Sequence, residues 1–330
     1  MANSDLNAAK KAKKDEFYTQ LSDIENELRH YKEHFRGKTV LCNCDDPRVS
    51  NFFHYFAYQF EALGLKRLIT TCYKNQERYL FSLHDCDRAI WMEYLGDRNG
   101  NRVPDPEEIG IRQLEGDGDF RSPECIELLK LADIVFTNPP FSLFREYVAQ
   151  LIKYDKKFLI LGNKNLITKK EIFPLFMQNR IWTGCRGFSG GMWFESEYVG
   201  KTEKVVNGKK LINVPSIWYT NLDHKKRHEE LILFRNYTPG AYPRYVNYDA
   251  IEVSKTEDIP CDYDGLMGVP ITFMDKYNPE QFEIIGVSLV LGNKKPADLP
   301  KDKQGGPAFY LKENGEYRRL YDRIVIRRRK

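Results

Sequence analysis

From Thr39 to Leu161 short apolar runs alternate with stretches of helical periodicity, and this alternation leaves very few folds open. Thr39-Val40-Leu41-Cys42, just after Gly37, reads as a buried strand, and Leu68-Ile69-Thr70-Thr71-Cys72 as a second one. Between them Ser50 to Leu63 reads as a helix rich in aromatics. A helical crossover returns the chain to the same end of a sheet, so strands separated in this way pair in parallel. The pattern then resumes. Ser122 can cap a helix with Pro123 in its first turn, where a missing N–H costs nothing, and Ile126, Leu128, Leu129 and Leu131 follow. Asp133 to Thr137 is the next strand, Phe144, Tyr147, Val148 and Leu151 mark a helix, and Lys157 to Leu161 is another buried strand.

The expected class is therefore α/β, a doubly wound, Rossmann-like sheet whose ligands lie at the carboxyl ends of its strands. An amphipathic helix carrying Leu21, Ile24, Leu28 and Tyr31 precedes it, and residues 76–112 interrupt it with a hairpin excursion around Asn99-Gly100. From about residue 185 glycines, aromatics and hairpin signals such as Asn207-Gly208 and Asn314-Gly315 take over. The expected division is a catalytic domain over 1–184 and a hairpin-rich lobe over 185–330, with the strands near Ile217 and Leu231 left open as members of the main sheet. A later helix is expected to begin near Pro279.

Composition removes several classes of function. With 330 residues the chain can bury a core without staples. No apolar run approaches the roughly 20 residues of a bilayer span, and the lysine-rich start has no apolar segment behind it. A cytoplasmic location is expected. Seven scattered cysteines without a CxxC pair point to free thiols. The absence of HExxH and of an Asp-x-Asp-x-Asp-Gly loop argues against a metal. Net charge is only +4, from 51 basic and 47 acidic residues, but the basic residues cluster: Lys10, Lys11, Lys13 and Lys14, then Lys225, Lys226 and Arg227, then Arg327 to Lys330. The middle cluster is the candidate for neutralising phosphates.

The chemistry sits in Asn138-Pro139-Pro140-Phe141, which ends a strand and opens a helix. A ring-conjugated amino nitrogen is a poor nucleophile because its lone pair is delocalised. The Asn138 side-chain oxygen and the Pro139 carbonyl can each accept one of its N–H groups and so localise that pair, two prolines keep the acceptors rigid, and Phe141 can stack on a planar target. The reaction that suits them is methyl transfer.

Further stretches make a family visible: Asp15-Glu16-Phe17-Tyr18-Thr19-Gln20, Cys42 to Phe53, Gly116 to Ser122, Thr137 to Leu143, Trp218 to Leu222, and Asp262 through Phe273. Together with the tetrapeptide they resemble the EcoRI-type family of adenine-specific DNA methyltransferases along nearly the whole chain. The resemblance implies S-adenosylmethionine as cofactor, double-stranded DNA as partner, a flipped-out adenine as target, and a setting in restriction-modification or as an orphan methylase. It implies that Phe17, Tyr18 and Thr19 close over the methionine part of the cofactor. It also places Asn43, Cys44, Asp45, Asp46 and Pro47 in the loop where related enzymes carry a glycine-rich turn that this sequence lacks; either Asp45 or Asp46 can meet the ammonium group. Tyr73 stands where a ribose-binding acid is usual, and Asp119 and Phe120 fit the recognition of the cofactor's adenine, with Gly116 and Gly118 permitting close approach. Gly187 to Phe194 suits a strand-separating or base-contacting loop. Methylation of RNA bases or of a protein glutamine, and a silent DNA-binding homologue, are the alternatives.

Overall fold

The computed structural model describes residues 18–44, 50–73, 89–101, 103–105, 107–188, 190–195, 204–206, 209–301 and 305–329. These form two compact units, 1–164 with 183–223, and 165–182 with 224–330. The second half of the chain therefore does not stand apart after a single cut near 184. Its strands up to Thr220 return to the first unit.

The first unit contains β1 (Tyr18–Thr19), α1 (Leu21–Leu28), β2 (Thr39–Asn43), α2 (Asn51–Tyr58), α3 (Phe60–Leu63), β3 (Arg67–Thr71), β4 (Ile90–Tyr94), β5 (Gly110–Gln113), α4 (Pro123–Leu131), β6 (Ile134–Thr137), α5 (Phe144–Lys153) and β7 (Lys157–Asn163). After β8 (Trp182–Thr183) it adds β9 (Met192–Glu195), β10 (Lys204–Val206), β11 (Lys209–Val214) and β12 (Ser216–Thr220). The central sheet runs β5-β4-β3-β2-β6-β7-β12-β8. Its four middle strands, β3-β2-β6-β7, are parallel, and β4, β5 and β12 join antiparallel. This is a mixed α/β sheet with a parallel centre, as the alternation requires. The hairpin excursion is the β4–β5 pair, and Ser216–Thr220 does finish the main sheet, pairing with β7.

Aromatic packing fixes the sheet's centre. Phe136 on β6 meets Phe52 and Phe56 of α2 at 5.3 and 5.2 Å and Trp218 of β12 at 5.4 Å. On α5, Phe144 lies 4.9 Å from Tyr219 and over Gly162, where a Cβ would come within 2.4 Å of its ring. β-strand neighbours point to opposite faces, so Trp218 and Tyr219 pin β12 to helices on both sides. Ser122 caps α4 by accepting the Cys125 N–H at 3.2 Å, as its position predicts.

The second unit holds α6 (Phe173–Met177), β13 (Ile251–Glu252), β14 (Met267–Pro270), β15 (Phe282–Val287), α7 (Ser288–Leu291) and β16 to β18 (Tyr310–Glu313, Glu316–Arg319, Arg323–Arg328). One sheet runs β13-β14-β18-β15, and β16–β17 is a hairpin. Its turn is Asn314-Gly315, both with positive φ, the signature of the Asn-Gly dipeptide. The helix expected near Pro279 is instead β15: Phe282 and Ile284 are buried and Glu283 and Ile285 less so, a period of two that outweighs the helical reading. No strand forms at Leu231, which is held by backbone bonds to the Gln281 side chain.

One further expectation is corrected. Cys72 is disulfide-bonded, whereas Cys42, Cys44, Cys125, Cys185 and Cys261 are free thiols. The basic cluster at Lys225 to Arg227 is partly occupied within its own unit: Lys226 pairs with Asp275, and the Arg227 guanidinium lies 3.5 Å from the Trp182 ring centre while donating to Asn179. Lys225 is exposed. Among the described residues no helix is long and apolar enough to cross a membrane.

Candidate active site

Three loops leave the carboxyl ends of adjacent strands: Cys44 after β2, Cys72-Tyr73 after β3, and Asn138 to Phe141 after β6. Side-chain bonds tie the first of these to β6 and α5. The Thr137 hydroxyl donates to the Asn43 carbonyl, and the Tyr147 hydroxyl, reaching up from α5, donates to the Asn43 side-chain oxygen. Burial pushes the Tyr147 phenol well above its ordinary range, so it remains a donor at every physiological pH. Asn138 is buried at 6% exposure, directly beyond a strand whose four residues are all buried. The turn behind it is closed by the Leu143 N–H donating to the Pro140 carbonyl at 2.9 Å.

Where the sequence lacks a glycine-rich turn, the backbone after β2 is nonetheless left-handed. Cys44 adopts φ +84, the left-handed conformation in which a residue with a Cβ is costly by about 1–2 kcal/mol and glycine is not. Asp45, Asp46 and Pro47 lie outside the described residues, as does Phe17. Tyr18 and Thr19 form β1, which pairs with Glu195 and Phe194 of β9, so the segment expected to close over a cofactor is an edge strand next to the segment expected to contact bases.

The loop 116–120 lies against the end of β3. Gly118 has φ +78, and a Cβ there would meet the Cys72 carbonyl oxygen at 2.2 Å. Gly116 has nothing within 4 Å of the same position, so of the two glycines only Gly118 is required by packing. Phe120 is buried and meets Tyr147 edge-on at 5.0 Å, and its carbonyl accepts from the Gln150 side chain at 2.9 Å. Asp119 accepts from Arg121 Nε and Nη2 at 2.9 and 2.7 Å, and these bonds hold its carboxyl below the usual carboxylate range. The Arg121 backbone N–H also donates to Oδ1 at 2.8 Å, so Oδ1 accepts two bonds and Oδ2 one, which leaves a lone pair on Oδ2 for a further donor. Tyr73 is 39% exposed at the mouth of the same strand end.

Phe141 ends the tetrapeptide. It is 5% exposed and packs in the same core as Phe52 and Phe136, because a turn at the end of a buried strand directs its next ring into the apolar layer. Sequence reasoning missed Tyr147, Thr137, Arg121 and Gln150. Tyr147 was visible only as one apolar position of α5, and nothing local marks its hydroxyl as the partner of a residue 104 positions away.

A parallel sheet with an Asn-Pro-Pro-Phe turn at the carboxyl end of a central strand defines an amino-directed methyltransferase. The chain belongs to the EcoRI family of adenine-specific methyltransferases, whose family model matches residues 5–329. It is 54% identical over 291 residues to the Type II methyltransferase M.EcoRI of Escherichia coli, covering 86% of this chain and 89% of that one. It is 39% identical over 339 residues to the Type II methyltransferase M.MpnI of Mycoplasma pneumoniae, covering 98% of each. No solved structure matches it. Adenine specificity excludes protein glutamine as the family's target, and methyltransferases of this kind depend in general on S-adenosylmethionine.

Proposed function

We propose that this enzyme transfers a methyl group from S-adenosylmethionine to N6 of an adenine extruded from double-stranded DNA, within a restriction-modification pair or as an orphan methylase. The observation that carries the reading is the placement of Asn138: buried, rigidly backed by Phe136 and Thr137, and at the carboxyl edge where neighbouring loops converge. The donor set suits the cofactor. Gly118 lets the 116–120 backbone approach β3, Asp119 keeps acceptor capacity for an exocyclic amino group, Phe120 supplies an apolar wall, and Cys44 takes the conformation a glycine turn would have. Asn43, Asp45, Asp46, Pro47 and Tyr73 are assigned to the same cofactor, with Phe17, Tyr18 and Thr19 over its methionine part.

The bound cofactor supplies an electrophilic methyl on sulfonium. The Asn138 side-chain oxygen and the Pro139 carbonyl would each accept a hydrogen bond from one N6–H, drawing the nitrogen towards tetrahedral geometry and localising its lone pair; as the N–C bond forms the methyl–sulfur bond breaks to leave a neutral thioether, and the nitrogen keeps one hydrogen and releases the other as a proton to solvent. Acceptors fixed before the reaction need no reorganisation during it, the condition under which such dipoles act most strongly. The adenine must leave the stack to reach them. Phe141, as buried as Asn138, is assigned to the wall of the same pocket, where it stacks on the base. The second unit, with Lys225 and the basic end of β18, is assigned to DNA recognition.

Asn138→Ala tests the assignment. In a single-turnover assay with tritiated cofactor and plasmid DNA, transfer is expected to fall by about 10² or more, while cofactor affinity by calorimetry changes little. Transfer at the parent rate would place the chemistry elsewhere.

A further inference from the structure

The hairpin between β4 and β5 carries a run of oxygen-bearing side chains that the catalytic reading leaves unused. From Asp97 to Glu108 the chain reads Asp-Arg-Asn-Gly-Asn-Arg-Val-Pro-Asp-Pro-Glu-Glu, which puts Asp97, Asn99, Asn101, Asp105 and Glu108 at positions 1, 3, 5, 9 and 12 of a twelve-residue loop. Those are the side-chain positions of a calcium loop, whose seventh residue adds its backbone carbonyl. Here the seventh is Val103. The run departs from Asp-x-Asp-x-Asp-Gly in having asparagine third and fifth and its glycine fourth instead of sixth. That glycine, Gly100, makes the turn with φ +79. Arg102 and Pro106, at two non-ligating positions, lie outside the described residues.

The side chains curl inward. Asp97 Oδ1 accepts the Gly100 N–H at 2.7 Å, Asn99 Oδ1 the Asn101 N–H at 3.0 Å, and Asn101 Oδ1 the Val103 N–H at 2.7 Å. Asp105 gathers the far side, its Oδ1 accepting the Glu107 and Glu108 N–H groups at 3.1 Å and its Oδ2 the Asn99 and Asn101 amides at 2.6 and 3.2 Å. These bonds shape the loop without calling for a ligand. Glu108 calls for one. It is 8% exposed, and its Oε1 accepts the Arg98 and Asn99 N–H groups at 2.5 and 3.1 Å, which turns the carboxylate into the loop. Its Oε2 is buried and, among the described residues, accepts nothing. A buried charged oxygen without a partner is costly unless a cation meets it. Tyr94, at the end of β4, registers the concentrated charge: burial, then the carboxylates of Glu108, Asp97, Glu61 and Asp105, push its phenol up to about 12.

We propose that residues 97–108 bind one calcium ion through side-chain oxygens of Asp97, Asn99, Asn101, Asp105 and Glu108 and the Val103 carbonyl. Among the described residues no three His, Cys, Asp or Glu side chains make a metal site by themselves, so the two amides and the peptide carbonyl complete it. An all-oxygen set of mixed charge is what calcium takes, whereas zinc favours nitrogen and sulfur and magnesium demands a tight octahedron. Each asparagine oxygen keeps a second lone pair for the ion, and the two amide N–H groups release Asp105 Oδ2 to it. Tyr94 pairs with Leu68 near the start of β3, so the loop leaves the sheet at the amino ends of the parallel strands, opposite the edge that bears Asn138. The ion's role is structural. It fixes the hairpin against α3, whose Glu61 accepts the Asp97 N–H at 3.3 Å.

Chelator-stripped full-length protein tests this by calorimetry with calcium and by luminescence with terbium, whose emission the neighbouring Tyr94 sensitises. A Kd between about 10⁻⁵ and 10⁻³ M is expected for a loop with few charged ligands, with magnesium at least about tenfold weaker. Saturating calcium should raise the midpoint of thermal unfolding by at least about 2 °C. E108Q keeps an oxygen for the Arg98 and Asn99 N–H groups and D105N keeps one for the turn, and each should weaken calcium by at least about tenfold through loss of a charged ligand. Parent-like affinity in either folded variant overturns the assignment. So does a parent that gives no heat, no terbium signal and no thermal shift up to about 10 mM calcium, beyond the weakest affinity of such loops. An equal response to magnesium would mark diffuse screening of an acidic surface and sinks the proposal too. None of these readouts uses methyl transfer, so their failure leaves the catalytic reading standing.

Discussion

Replacing Gly118 by alanine perturbs the cofactor loop at one defined point. The new Cβ would lie 2.2 Å from the Cys72 carbonyl oxygen and 3.1 Å from the Ala89 Cβ. The shortest separation that real Cβ atoms tolerate is 3.0 Å, so the loop or the end of β3 must move by at least 3.0 − 2.2 = 0.8 Å. Neither neighbour is a flexible side-chain end, and φ +78 adds a left-handed penalty of about 1–2 kcal/mol. On the proposed assignment of Asp119 to the cofactor's amino group, a shift of this size would lengthen that hydrogen bond beyond its normal range. A lost bond to a charged acceptor costs about 1.5–3 kcal/mol, equivalent to a fall in cofactor affinity of about 10- to 100-fold. Calorimetric titration with S-adenosylmethionine measures it, and thermal unfolding followed by circular dichroism should show a destabilisation of about 2 kcal/mol. Gly116→Ala is the control: with open space and no positive φ it should match the parent in stability and bind cofactor within about threefold. A folded Gly118→Ala protein with parent affinity, or equal losses in both variants, refutes the reasoning.

The remaining predictions concern charge. Because Arg121 holds the Asp119 carboxyl low, its contribution to stability and to cofactor binding is present above the unfolded carboxylate range of about 3.9 and is lost only as pH falls through the lowered folded value. Calorimetry between pH 7.5 and 4.5 should therefore show a flat Asp119-dependent affinity, and Arg121→Ala should introduce a decline at the acid end; a decline centred near pH 6 in the parent would contradict this. For the basic cluster, Lys225→Ala should lower the salt slope of duplex binding by about 0.9. Lys226→Ala and Arg227→Ala should appear mainly as losses of stability, since these side chains hold Asp275 and Trp182; equal slope changes for all three in anisotropy titrations would show that all three meet phosphate.

Much of the catalytic unit was legible before folding. Periodicity, a serine cap with proline behind it, and Asn-Gly dipeptides act over a few residues, so β2, β6, α4, α5 and the β16–β17 turn could be read directly, and Asn138 could be placed at a strand end. What remained hidden depends on closure of the chain. The Tyr147 to Asn43 bond, the seat of Gly118 on Cys72 and the two backbone bonds into Glu27 join residues far apart in sequence. No local preference encodes them, because each partner is chosen by which strands become neighbours. The same holds for Phe141, whose ring packs in one core with Phe52 and Phe136, and for Ser216–Thr220, whose membership of the main sheet the sequence left open and hydrogen-bond pairing with β7 decided.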